Sequence, residues 1–151
     1  MEAQFKAWKT SRSLIAQYFE KYDLEQLNQI PEGFNNNLIW NLGHIIVAQQ
    51  GLIYKGSGLD PYISQELSAR YQPGTKPEAK VKQQEVDELR GLLTSLIDKT
   101  ESDFKKGIFK SYKERTTATG FHLASIEDAF EFNNYHEALH LGAMMAIRKF
   151  V

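Results

Sequence analysis

The sequence predicts an all-α protein, a four-helix bundle in up-down-down-up order with a long crossover between its second and third helices. Three observations predict it. Four stretches carry apolar residues at helical spacing between recognisable start and stop signals. Between the second and third of these, roughly residues 55–79, lies a connection holding Gly56, Gly58, Pro61, Pro73, Gly74 and Pro77. Bundle connections usually run about two to eight residues, so one this long crosses the bundle and leaves its flanking helices parallel. Finally, 151 residues with 42% apolar and 25% charged side chains fit one globular domain spanning 1–151.

The first helix carries Trp8, Ile15, Tyr18, Phe19 and Tyr22 at helical spacing and is expected to end before Pro31-Glu32-Gly33. The second opens in Asn35-Asn36-Asn37, where an asparagine oxygen can accept an orphan backbone N–H. Its run LIWNLGHIIVAQQGLIYKG is apolar on most sides, which predicts burial, and it stops at Gly56-Ser57-Gly58. A short helix is expected within the crossover at ISQELSARY. The third long helix follows Pro77, with Leu89, Leu92, Leu93, Leu96, Ile97 and Phe104 as its apolar stripe. After Gly107, the segment IFKSYKERTTATGFHLA is β-branched and turn-rich, which suits a short hairpin. The fourth helix opens with SIED, where Ser125 can cap and Asp128 adds negative charge to the first turn.

Composition narrows the function. The net charge is -1 and no basic stripe appears, which argues against a nucleic-acid partner. There is no cysteine, so disulfides, thiolate nucleophiles and cysteine-rich zinc sites are excluded. The N-terminal stretch is broken by Lys6, Lys9, Arg12 and Gln17 and is no signal peptide. No run of about eighteen apolar residues suits a membrane span. A cytoplasmic protein is expected.

The chemistry concentrates in HEALH, residues 136–140. His136 and His140 are one helical turn apart and can converge on one ion. The string matches the H-E-x-x-H of zinc proteases, but the peptidase reading lacks support. Ala143 and Ala146 occupy the positions where one protease class needs glycine and a third histidine. The other class takes a later glutamate, and none of the eleven residues after His140 is acidic. A catalytic zinc wants three protein ligands and an open position, so the third ligand comes from upstream. His44 is the best candidate, on a helix face shared with Asn37, Trp40 and Asn41. Gly43 beside it allows the close approach of a backbone or a bulky ring. Glu137 is a weak candidate for a general base. A hydrogen-bond acceptor behind the metal ligands, or a salt bridge within the bundle, is the plainer alternative and the favoured one. Trp40 and Asn133 are candidate pocket residues, Trp40 serving equally as core packing. His122, in the loop before the last helix, is read as a surface or capping residue.

NNLIWNLGHI, YQPGTKP and FNNYHEALHLGAM together resemble the DinB/YfiT-like superfamily, most closely its DinB-like branch. The family's Gly-His on helix two is matched by Gly43-His44, and its H-x-x-x-H-x-G by His136, His140 and Gly142. Ala143 departs from the glutamine common after that glycine. The resemblance implies a four-helix bundle, a divalent ion (often zinc or nickel) on His44, His136 and His140, and frequent homodimers. Relatives include a mycothiol-dependent isomerase and bacillithiol S-transferases. The expectation is therefore a metal-dependent enzyme transferring a low-molecular-weight thiol, as cosubstrate, to a small-molecule electrophile. A metal-dependent hydrolase of a small ester or amide is the alternative within enzymes. A non-catalytic, metal-stabilised binding or stress-response bundle is the alternative outside them.

Overall fold

In a computed structural model covering residues 1–151, helix α1 runs from Glu2 to Lys21. It buries Phe5, Trp8, Arg12, Ile15, Tyr18 and Phe19, a stripe at three- and four-residue spacing. The helix stops short of the expected boundary near Pro31. Tyr22 is extended, and Asp23 starts a separate short helix, α2, over Leu24–Asn28. The Asp23 carboxylate accepts from the Gln26 backbone while the Gln26 side chain accepts from the Asp23 backbone. That reciprocal cap satisfies two donors locally and competes with continuing α1.

Asn37 caps α3, Leu38–Gln49, by accepting from the Trp40 backbone at 2.9 Å. Every residue of α3 is buried, as its all-round apolar character predicts. The helix then widens into a π-turn, Gln50–Tyr54, and tightens into a 3-10 turn, Lys55–Ser57, before Gly58 turns left-handed at φ 73°. The crossover holds helix α4, Gln65–Tyr71, capped by Ser64. Helix α5, Gln83–Lys105, buries Val86, Leu89, Leu93, Leu96 and Ile97. Arg115–Thr116 (β1) and His122–Leu123 (β2) form a minimal antiparallel hairpin, with Arg115 opposite Leu123 and Thr116 opposite His122. Ser125 and Asp128 complete a capping box at the start of α6, Ile126–Ile147.

The molecule is thus mainly α-helical, as expected, and the sheet is confined to that hairpin. Helices α1 and α3 each pack on both α5 and α6. Phe5 meets Phe104 while Arg90 lies over Phe19, so α1 and α5 run in opposite senses. Gln4 bonds Glu131 and Arg12 bonds Glu137, so α1 and α6 run in the same sense. Asn41 meets His140 and His44 meets His136, so α3 opposes α6. One apolar cluster gathers Ile15, Leu42, Leu89 and Ile147, and a second gathers Trp8, Ile53, Ile97 and Phe130. No helix is long and apolar enough to cross a membrane.

Candidate metal centre

The geometry begins at Gly43. A Cβ there would lie 2.5–2.6 Å from the Tyr71 ring, so only glycine lets α4 close on α3. The closure brings the Tyr71 carbonyl to 2.8 Å from His44 Nδ1. On the opposing helix, His140 Nδ1 lies 2.8 Å from Asn41 Oδ1. The Asn41 amide donates to Asn36 Oδ1 at 2.9 Å and to the Asn37 carbonyl at 2.8 Å, which turns its oxygen toward His140. Both acceptors are carbonyl oxygens, so Nδ1 of His44 and of His140 carries the hydrogen. Nε2 of each therefore carries its lone pair, and His44 Nε2 faces His136 Nε2.

One ligand-capable atom from each of His44, His136 and His140 lies within 4.8 Å of the others. His44 Nε2 and His136 Nε2 are 3.3 Å apart. Two nitrogens held at about 2.0–2.1 Å from a tetrahedral zinc would sit about 3.3 Å from each other, so this separation fits a shared ion. Burial disfavours the charged form of all three rings and lowers their pKa. His136 is lowered to about 4, with the His44 ring adding to the effect. His140 is lowered to about 3, with both neighbours adding. All three are therefore neutral imidazoles at pH 7, the form that binds metal.

These shifts predict a pH-dependent stability. The histidines take up protons at higher pH in the unfolded chain, near 6.5, than in the fold. Stability of the metal-free protein is then complete above pH 6.5. It falls as pH drops toward about 4 for His136 and about 3 for His140, by roughly 1.4 kcal/mol per unit per ring at most. Thermal melts from pH 8 to 4 are expected to show a flat region and then a decline, shallower in His140→Phe. A melting temperature equally pH-dependent in that variant would refute the assignment.

Trp40 stacks on the His44 ring, centroids 4.7 Å apart at 11°, and its Nε1 donates to Thr75 Oγ1 at 3.1 Å. It is a buried core residue packed against the His44 ring. Asn133 is fully buried and donates to Glu137 Oε1 at 2.9 Å, on the side of α6 that meets α1. Glu137 is also fully buried. Its Oε1 accepts from Trp8 Nε1 at 2.8 Å and from Arg12 at 2.7 Å, and its Oε2 accepts from Arg12 Nε at 2.7 Å. Both carboxylate oxygens are thus engaged in the bundle, the plainer alternative for this residue. His122 lies exposed on β2, 3.1 Å from Glu114 and outside the cluster.

A cavity of about 450 Å³ opens beside the histidines, with His44 and His136 in its wall. The crossover contributes Pro61, Gln72 and Pro73, and the hairpin segment contributes Arg115. Asn41 and Tyr71 orient the rings, a role that the sequence reading assigns to neither. Asn41 shares a face with His44, which was a usable signal. The Tyr71 contribution is a backbone carbonyl and has no signature of residue type.

The DinB superfamily model matches residues 7–144, and the chain belongs to that family. The match spans the three segments that carried the resemblance. No curated protein matches the chain.

Proposed function

We propose that this member of the DinB superfamily is a metal-dependent enzyme that transfers a low-molecular-weight thiol to a small electrophile. His44, His136 and His140 would hold a divalent ion, zinc or nickel. The observation that carries the proposal is the convergence of three neutral imidazoles, two oriented by fixed acceptors, at the wall of a cavity. Such an ion supplies Lewis acidity, enough to deprotonate a coordinating thiol or to bring the pKa of a bound water to around 7.

The chain's own residues do the rest. The Tyr71 carbonyl and Asn41 hold His44 and His140 with their lone pairs already presented, so binding requires little reorganisation. Trp40 covers one flank of His44 and keeps water from it. Val47, Leu52 and Phe132 give the cavity an apolar wall against which an electrophile can be oriented. Without cysteine, the nucleophilic sulfur must come from a cosubstrate. Hydrolysis is less favoured, because Glu137 is occupied and no carboxylate lines the cavity to activate water.

The up-down-down-up order belongs to the same reading. It is supported by the opposed pair α1–α5, the like-directed pair α1–α6 and the opposed pair α3–α6. So does a homodimer, for which Tyr135, Leu139 and Met145 offer an exposed apolar face on α6. A cytoplasmic site of action completes the proposal.

The test follows from the ligand set. Metal-loaded protein, a small thiol and a chromogenic electrophile are expected to react faster than thiol and electrophile alone. His136→Ala is expected to return the rate to that background. Equal rates for wild type and variant would refute thiol transfer, and turnover without added thiol would favour hydrolysis.

A further inference from the structure

The cavity beside the histidines has an unusual charge pattern. None of the seventeen residues lining it is acidic, in a chain holding as many as nineteen aspartates and glutamates. Two exposed cations, Lys55 and Arg115, stand in its wall, and neither is paired with a carboxylate. Thr117 and Thr119 place hydroxyls nearby.

A second observation is independent of these charges. Gln50 is fully buried and lines the same cavity. Its Oε1 accepts from the Tyr62 backbone at 2.8 Å, which orients the amide. Its Nε2 is buried with no hydrogen-bond partner. A buried donor without a partner is unfavourable, so an acceptor brought by a ligand would satisfy it. Gln50 opens the π-turn, a distortion found frequently at functional sites.

The hairpin segment bearing Arg115 is fixed in place. The Lys113 backbone donates to the Gly56 carbonyl at 2.7 Å, and the Tyr112 ring packs where a Gly56 Cβ would be. Lys55 and Arg115 are thereby tied to the same end of α3.

The geometry points to a substrate class: the cavity selects small organic anions, binding a carboxylate through Gln50 Nε2, Lys55 and Arg115 while the reactive end faces His44 and His136. Placement of the reactive end rests on the three-histidine reading above. The cosubstrate is accordingly a thiol that also carries carboxylate charge, and neutral thiols are poor ligands. Because both cations are exposed, the preference weakens with salt.

The experiment uses cobalt-loaded protein and two thiols of similar size, mercaptosuccinate and 1-thioglycerol, followed by the cobalt absorption spectrum. Wild type is expected to bind mercaptosuccinate at least about tenfold more tightly, the ratio set by 1.4 kcal/mol. In Lys55→Gln/Arg115→Gln the ratio is expected to collapse toward one, with thioglycerol binding unchanged. Equal affinities in wild type, or a preference that survives the double substitution, would overturn the inference and leave the metal centre standing. Succinate calorimetry separates the two claims. If neither thiol perturbs cobalt, the thiol reading falls; succinate bound by wild type and not by the variant would still support the anion site, and bound by neither would overturn it.

Discussion

Glu137→Ala is expected to destabilise the metal-free protein by about 3–5 kcal/mol, the usual cost of stranding one partner of a buried ion pair. Arg12 is 1% exposed and Glu137 is 0% exposed. The guanidinium spends Nε and one terminal nitrogen on Glu137 and the other on the Leu93 carbonyl at 2.8 Å. Removing the carboxylate leaves a buried cation with that carbonyl alone, and it also strips Trp8 Nε1 and Asn133 Nδ2 of their acceptor. Urea unfolding reads the loss directly. The paired change Arg12→Met/Glu137→Leu is expected to recover most of it, since a packed apolar pair often substitutes for a buried ion pair at little cost. A general base would behave differently, losing turnover while keeping stability. Unfolding of Glu137→Ala at the wild-type midpoint would contradict the structural role.

Gly43→Ala carries the second large effect, and it reaches the metal centre through packing. The added methyl would meet Cγ, Cδ1 and Cε1 of Tyr71 at 2.5–2.6 Å, all in the rigid ring. The ring cannot swing clear, because Tyr71 is 2% exposed and its hydroxyl donates to Glu85 Oε1 at 2.5 Å. Glu85 is in turn bonded to Arg70. Overpacking of this kind costs about 1–3 kcal/mol. Helix α4 must move outward, taking the Tyr71 carbonyl from His44 Nδ1. Loss of a bond that orients a ligand typically weakens metal affinity by about 10–100-fold. Competition with a chromophoric chelator measures this, and Gly43→Ala with wild-type affinity would show that the carbonyl does not set the ring.

The long helices were legible because each joins an apolar stripe to a local signal. Asn37 and Ser125 cap where their residue types predict, and Gly58 and Gly107 turn left-handed at helix ends. Helix α2 was hidden because no glycine or proline separates it from α1, and the Asp23–Gln26 cap that does separate it acts over a single turn. The π-turn after Gln49 has no sequence marker. His136 and His140 announced themselves by spacing, and His44 followed because no downstream residue could complete the set. Arg12 carries a sequence signal of its own. It stands within the stripe Phe5, Trp8, Arg12, Ile15, Phe19, and a charge on a buried face requires a buried partner. Glu137, likewise one position out of step with the two histidines, is that partner. The cavity was the least legible part, since it joins α3, the crossover and the hairpin, and no local pattern encodes their meeting.

The proposed function stands or falls with one metal site held by His44, His136 and His140. Its most direct test is elemental mass spectrometry of the untagged protein and of His44→Ala, each reconstituted with zinc or nickel and then desalted. About one ion per chain is expected in wild type, as a three-histidine site with an open position would hold, and almost none in the variant. No retained metal in wild type, or equal metal in both, would contradict it.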